Sequence, residues 1–440
     1  MSKIKLKVLI NHKLWLALLI SCLLVLILFV GKYAGSRCCY GIGTLNNICG
    51  FREKAIYYYD NAIFLDPKYA DAYSDRGWTY DKQGLLDKAL DDYSKAITLK
   101  PDSARSYLNR ASLYARSHNT EAAIKDYSRV IESQPNNSRA YFGRGAVYHL
   151  AGRLDLAKIN YDAALKVSPD RSDILFSRGS ILIAQGLVDK AGADFSRVIE
   201  LDPSNELAYN ARGMIYNLKG IYGKALNDFN KAIELKRDFV DAYYNRAIAY
   251  QGLGQHDRAI GDLTKYLETE PDITFAHFLR GNSYYQLKQF EDALKDYSEA
   301  IRISPDEVDF YRGRAHALFD LGEQDKAIVD LTKAIKINSD DAEIYCDRGV
   351  LYASMKQCEK AIADFTYAIE KDPKNFEYYF FRGEAYYELS RFDEAIADYT
   401  KVIEMRPDYT EVYIARGLAY HDKGEEEKAI ADYKAVYGNE

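Results

Sequence analysis

The sequence predicts an all-α chain of stacked helical hairpins preceded by one membrane-spanning helix, and three observations carry that prediction. Arginine recurs every 34 residues, at Arg76, Arg110, Arg144, Arg178, Arg212, Arg246, Arg280, Arg314, Arg348, Arg382 and Arg416, without insertion or deletion. All nine prolines, from Pro67 to Pro407, fall in one place of the same register, with Arg237 and Ser339 filling the two remaining slots. Seventeen consecutive residues without a charge, 14–30, stand outside the period.

A period this strict replaces the usual prior of about three domains for 440 residues, since each turn of the repeat is one supersecondary unit. With 48% hydrophobic and 28% charged residues and no biased runs, the chain can bury a core and is not a disordered or fibrous polymer. Tyrosine is overused, 39 against 18 Phe and 2 Trp, while six cysteines are too few for a disulfide scaffold. The net charge is −6, but the first 37 residues hold six Lys and Arg and no acid, so the remainder carries −12. An acidic body argues against phosphate-dominated binding, and no nucleic-acid partner is expected.

Residues 1–13 form a basic segment and residues 14–30 a signal-anchor helix near the lower length limit for crossing a bilayer. Lys3, Lys5, Lys7 and Lys13 precede it; Lys32 and Arg37 follow. That bias favours a cytoplasmic amino terminus, with the body on the translocated side, whether periplasmic, extracellular or lumenal. Two rival readings are a signal peptide cleaved at Ala34-Gly35-Ser36, for which the apolar run is slightly long, and a lipoprotein box at Leu19-Ile20-Ser21-Cys22, after which eight more apolar residues are unusual. All three leave the body at or across a membrane. Beyond the anchor, Cys38, Cys39 and Cys49 allow a short-loop disulfide in an oxidising compartment or S-acylation in a cytosolic one. Cys346 and Cys358 share one repeat and could pair only if their Cβ atoms come within about 4.5 Å.

Counting Ala70 as place 1, residues 70–440 divide into eleven 34-residue units. Place 8 is Gly or Ala throughout, place 20 is Ala from Ala89 to Ala429, place 24 is Tyr, Phe or Leu, and place 11 is Tyr in nine units. Tyr73, Gly77 and Tyr80, then Ala89, Tyr93, Ala96 and Ile97, have the spacing of two amphipathic helices. Gly84 and its equivalents mark the turn between them, and proline separates one unit from the next. Residues 31–69 read as a linker and degenerate first unit: Ala55, Tyr59, Ala62 and Pro67 keep the register, but Ser36 to Asn47 is glycine-rich and poorly helical.

These landmarks resemble the tetratricopeptide repeat over residues 70–440. The resemblance implies a right-handed superhelical solenoid of helix-turn-helix repeats whose stability comes from stacking neighbours. It also implies a concave groove lined by the first helix of each unit, at places 2, 5, 9, 12 and 13, that takes a protein or peptide ligand. Place 5 supplies the candidate contacts Leu108, Phe142, Phe176, Tyr244, Phe278 and Phe380. An equally weighted alternative has these side chains packing partly between units.

Two departures matter. Where the family commonly has Leu at place 7, this chain has Arg eleven times, and place 23 is Asp in ten units and Asn160 in the other. Matching counts favour an Arg–Asp pair within each hairpin or between neighbours over an anion-binding ladder. The family's two-carboxylate clamp for acidic chaperone tails is unsupported: Asn109 and Asn245 fit, but Ser74, Trp78, Asn210, Met214, Phe275 and Leu279 around them do not. The seven histidines have no metal-ligand spacing and no phosphate-cradling loop is present, so no catalytic, cofactor-binding or metal-binding residue is assigned. The resulting expectation is a membrane-anchored interaction scaffold. The alternative is a docking receptor or accessory subunit of a secretion, import or envelope-assembly machine; an enzyme with a repeat arm has no room for its catalytic domain.

Overall fold

The computed structural model describes residues 32–438; the basic segment 1–13 and the expected anchor helix 14–30 lie outside the described residues. Among the described residues no helix is long and apolar enough to cross a membrane. These residues form 24 α-helices, in two compact parts that meet in sequence at Ala208 and Tyr209. Each part is a succession of antiparallel helical hairpins.

The first four helices are α1 (Lys32–Ile48), α2 (Arg52–Leu65), α3 (Ala70–Lys82) and α4 (Leu86–Leu99). From α3 onward the first helix of every repeat begins at place 1 and the second at place 17, through to Thr410–Lys423 and Glu426–Tyr437. The turn explains this regularity. Its place 15 adopts positive φ, as at Gly84 (φ 78°) and Gly322 (φ 81°), a backbone that only glycine reaches without cost. Four repeats put His118, Lys288, Lys356 and Ser390 there instead, at φ of 56 to 59°.

The segment Ser36 to Asn47, expected to be poorly helical, is part of α1. Packing outweighs propensity here. A β-carbon at Gly43 would stand 2.8 Å from the Tyr59 ring, so glycine is what lets α1 approach α2. Ser36 Oγ donates to the Ala62 carbonyl at 2.9 Å, the bond that Ser138 makes to Ala164 at 3.1 Å in the third repeat. Gly50 supplies the turn at φ 80°. Residues 36–69 therefore have the repeat's hairpin geometry.

Inside each hairpin the place-8 residue faces the place-24 ring. At Gly145, Gly179, Gly213, Gly349, Gly383 and Gly417 an added β-carbon would lie 2.6 to 2.8 Å from that ring. Where place 8 is Ala247 or Ala315, place 24 is the smaller Leu263 or Leu331, and both pairs are buried. The third alanine, Ala111, faces Tyr127, whose ring instead turns over Gly143 of the following repeat. Close packing forces this exchange of volume between two places of the repeat. The place-20 alanines complete the interface, buried at every repeat.

Candidate functional site

The arginine ladder is structural. Arg314 Nε and Nη2 clasp Asp330 at 2.7 and 2.8 Å, and Nη1 reaches back to Ser298 Oγ of the preceding repeat at 3.1 Å. Arg110, Arg178, Arg246, Arg280, Arg348, Arg382 and Arg416 repeat the three-point contact. In seven repeats the guanidinium also sits between tyrosines at places 4 and 11; that of Arg348 is 5.7 and 5.8 Å from the Tyr345 and Tyr352 rings. This cation–π sandwich is where much of the tyrosine excess is used. Hydrogen bonding to Asp364 outweighs burial and holds Arg348 above its ordinary pKa. With its donors turned inward and its faces covered, the ladder ties hairpins together and offers little to a ligand. Asn160 breaks the pattern: it takes only Nε of Arg144, at 2.8 Å, and gives its amide to the Leu156 carbonyl.

The place-5 side chains pack onto their own hairpins, and two also onto rings beyond them, Phe278 5.0 Å from Phe310 of the next repeat and Phe380 5.5 Å from Tyr409. Phe142 lies 5.7 Å from the Tyr161 ring, Phe176 5.3 Å from Phe195, Phe278 5.9 Å from Tyr297 and Phe380 6.0 Å from Tyr399. Tyr244 meets Tyr266 at 5.0 Å, and Leu108 is buried. These are tilted or edge-on aromatic pairs that close the hairpin. All five aromatics are half-buried, so each keeps one edge toward the surface of its first helix.

The fully presented apolar residues are others on the same helices. Leu150 is 83% and Leu218 69% exposed, both at place 13, while Leu207 and Phe275 at place 2 and Met214 and Leu418 at place 9 are also exposed. The signal for them was in the sequence, since places 2, 9 and 13 belong to the same expected face as place 5. Polar residues on first helices join neighbouring repeats: Arg312 pairs with Glu343 at 3.0 Å and Asp347 at 2.9 Å, and Tyr285 Oη donates to Asp320 at 2.7 Å. Asn245, one of the two clamp-like asparagines, donates to Asn210 Oδ1 at 3.1 Å.

The cysteine pairings are not formed. Cys38, Cys39, Cys49, Cys346 and Cys358 are free thiols, and burial pushes Cys346 up to about 12. Cys38 and Cys39 are consecutive on α1, one half-buried and the other buried, while Cys49 is exposed in the turn. Among the described residues no group of three or more His, Cys, Asp or Glu could hold a metal ion.

Repeated hairpins with sequence-variable first helices define a helical-repeat interaction scaffold. Models described as TPR repeat match residues 213–254, 281–322, 315–356 and 383–424. Models described as tetratricopeptide repeat match 70–103, 108–158, 160–206, 241–272 and 342–375. The chain belongs to the tetratricopeptide repeat family. No curated protein gives a match. Among solved structures, the C-terminal part of a TPR repeat-containing protein from Cytophaga hutchinsonii is 21% identical, with a TM-score of 0.46 over 51% of this chain and 92% of that one. YrrB, a TPR protein with an unusual peptide-binding site, is 26% identical with a TM-score of 0.39, covering 42% and 95%. Yeast Tom70 is 19% identical with a TM-score of 0.39, covering 90% and 97%.

Proposed function

We propose that this chain is a membrane-anchored scaffold that captures a protein or peptide on the first-helix face of its repeats. The observation that carries the reading is the exposure of Leu150 and Leu218 at one place of the first helix, with Leu207, Phe275, Met214 and Leu418 also exposed at places 2 and 9 of first helices. The candidate contacts Leu108, Phe142, Phe176, Tyr244, Phe278 and Phe380 stand at place 5 of the first helices of their own repeats, and the exposed side chains at places 2, 9 and 13 make first contact with a ligand. An apolar face broken by Asn, Glu and Tyr suits an extended or helical peptide with apolar side chains at intervals. No reaction is assigned to it.

The anchor is residues 14–30, which end just before α1 begins at Lys32. Retention is favoured over cleavage at Ala34 to Ser36, because that site falls in the first turn of α1, where Ser36 is buried and bonded to Ala62. The lysines ahead of the anchor orient the repeats to the translocated side.

Crosslinking and affinity capture from native membranes test this reading, comparing the full chain with an L150S/L218S form. A partner held by the first and lost by the second supports the face as the binding site. Identical partners from both forms would remove it. Carbonate extraction and protease protection of the full chain test the anchor and its orientation separately.

A further inference from the structure

Place 4 is Tyr in nine repeats, Leu175 in one and His277 in the seventh. The tyrosine hydroxyl reaches the carbonyl of the preceding turn: Tyr311 donates to Pro305 at 3.0 Å, Tyr413 to Pro407 at 3.3 Å, and Tyr243 to Arg237 at 3.2 Å while accepting from Lys265. His277 keeps this partner and adds a second. Its Nε2 lies 2.9 Å from the Pro271 carbonyl and its Nδ1 2.9 Å from Asp296 Oδ1. Asp296 is the place-23 acid of that repeat, clasped at the same time by Arg280 Nε and Nη2 at 2.8 Å each.

Both ring nitrogens of His277 thus face oxygen acceptors. A neutral imidazole carries one N–H, so in either tautomer one of the two contacts would set a nitrogen lone pair against an oxygen. Only the imidazolium donates to both. The ring is buried, which leaves water little room to replace a lost bond.

We propose that His277 is a proton-operated latch: as an imidazolium it ties the turn that ends the sixth repeat to the second helix of the seventh, and loss of its proton releases that tie. The groups facing it are known from each element around it. Its own helix, Thr274–Gln286, brings Arg280; the second helix, Phe290–Ile303, brings Asp296 and Glu299. The turn brings the Pro271 carbonyl, with Asp272 drawn toward Arg302 at 3.5 Å. The preceding helix, His256–Thr269, brings Thr264 Oγ1, bonded to Arg280.

The hydrogen bond to Asp296 raises the His277 pKa, and with the Pro271 bond it outweighs burial and the Arg280 charge, which both lower it. Asp296 moves the other way: burial opposes its ionisation, but the bonds from Arg280 and His277 win and its carboxyl lies below the usual range. A histidine raised in the folded state contributes its full stability below the unfolded value of about 6.5 and loses it as pH climbs through the folded value. The latch is therefore closed in an acidic compartment and opens toward alkaline pH.

The test uses the full chain in detergent micelles with 13Cε1-labelled histidine, the His277 signal being the one lost in H277Y. The expected midpoint lies above 6.5 and falls in D296N. H277Y restores the residue of nine other repeats, so the melting temperature of the native chain relative to H277Y should be higher at pH 5.5 than at pH 8.5. A midpoint at or below 6.5, or a difference from H277Y that is the same at both pH values, overturns the latch. Should H277Y fail to fold, H277Q identifies the signal and the titration of the native chain decides alone.

Discussion

A β-carbon on Gly349 would stand 2.6 Å from the ring of Phe365, so the ninth repeat has no space for alanine at place 8. The sixth and eighth repeats do hold alanine there, as Ala247 and Ala315, and both pair it with leucine at place 24. G349A should destabilise the chain by about 2 kcal/mol through overpacking. Adding F365L should return much of that loss, because the double variant reproduces the Ala–Leu pair of the other two repeats. Urea unfolding of both single variants and the double variant checks this; strictly additive losses would show that the two places are not coupled.

The same pair of places shows what the sequence could disclose. Helix starts, turns and the core places 8, 20 and 24 were legible because stacking imposes the same geometry on every repeat, and a 34-residue period averages away local noise. The helicity of Ser36 to Asn47 was not legible, since glycine is a poor helix former in isolation, whereas Gly43 sits where the Tyr59 ring leaves no room for a side chain. Gly50, in register with the other turn glycines, was the available signal. The arginine pairs were legible from matching counts. The half-buried state of Phe142 or Phe176 was not, because the rotation of a place-5 ring is settled by contact with the place-24 ring of the other helix. His277 was opaque for the same reason: its two acceptors come from a turn and a second helix.

Arg246 binds Asp262 through Nε and Nη2 at 2.7 Å each, and Asn230 of the preceding repeat through Nη1 at 2.7 Å. R246A leaves the buried Asp262 carboxylate without its cation and should cost about 2 kcal/mol, in the range for hydrogen bonds to charged groups. R246L/D262L replaces both partners by apolar groups and should recover part of the loss. A double-mutant cycle in urea reads the coupling. If the double variant is as unstable as the sum of the singles, the pair is not the source of the effect.

Ser390 holds φ at 56° at the turn place where seven of the eleven repeats have glycine. The left-handed conformation costs a non-glycine residue about 1 kcal/mol, and glycine returns part of that through its greater freedom in the unfolded chain. S390G should therefore raise stability by about 0.5 kcal/mol, with the sign as the informative result. Differential scanning calorimetry of S390G beside G322S checks it in both directions: the first should melt higher than the native chain and the second lower.

Asn160 gives Arg144 one acceptor where ten repeats give two. N160D should rotate to accept both Nε and Nη2, gaining a charge-assisted pair and losing the amide bond to Leu156. The net expectation is a gain of about 1 kcal/mol. Its screening by salt distinguishes the cause: the advantage should shrink as ionic strength rises, whereas a packing effect would not.

The binding face can be separated from the core by comparing two sets of substitutions. Replacing Phe142, Phe176, Tyr244 and Phe278 with Ala removes rings that contact Tyr161, Phe195, Tyr266 and Tyr297, so it should cost about 2 kcal/mol per site, below the figure for a fully buried ring. Loss of a partner in that variant would then report on folding as much as on recognition. L150S/L218S removes side chains that are mostly solvated and should leave the melting curve within about 0.5 kcal/mol of the native one. The informative measurement is the ratio of the two effects: partner capture lost in L150S/L218S at unchanged stability assigns recognition to the exposed leucines. Capture retained there, and lost only in the destabilised quadruple variant, would mean that these leucines do not contact the ligand.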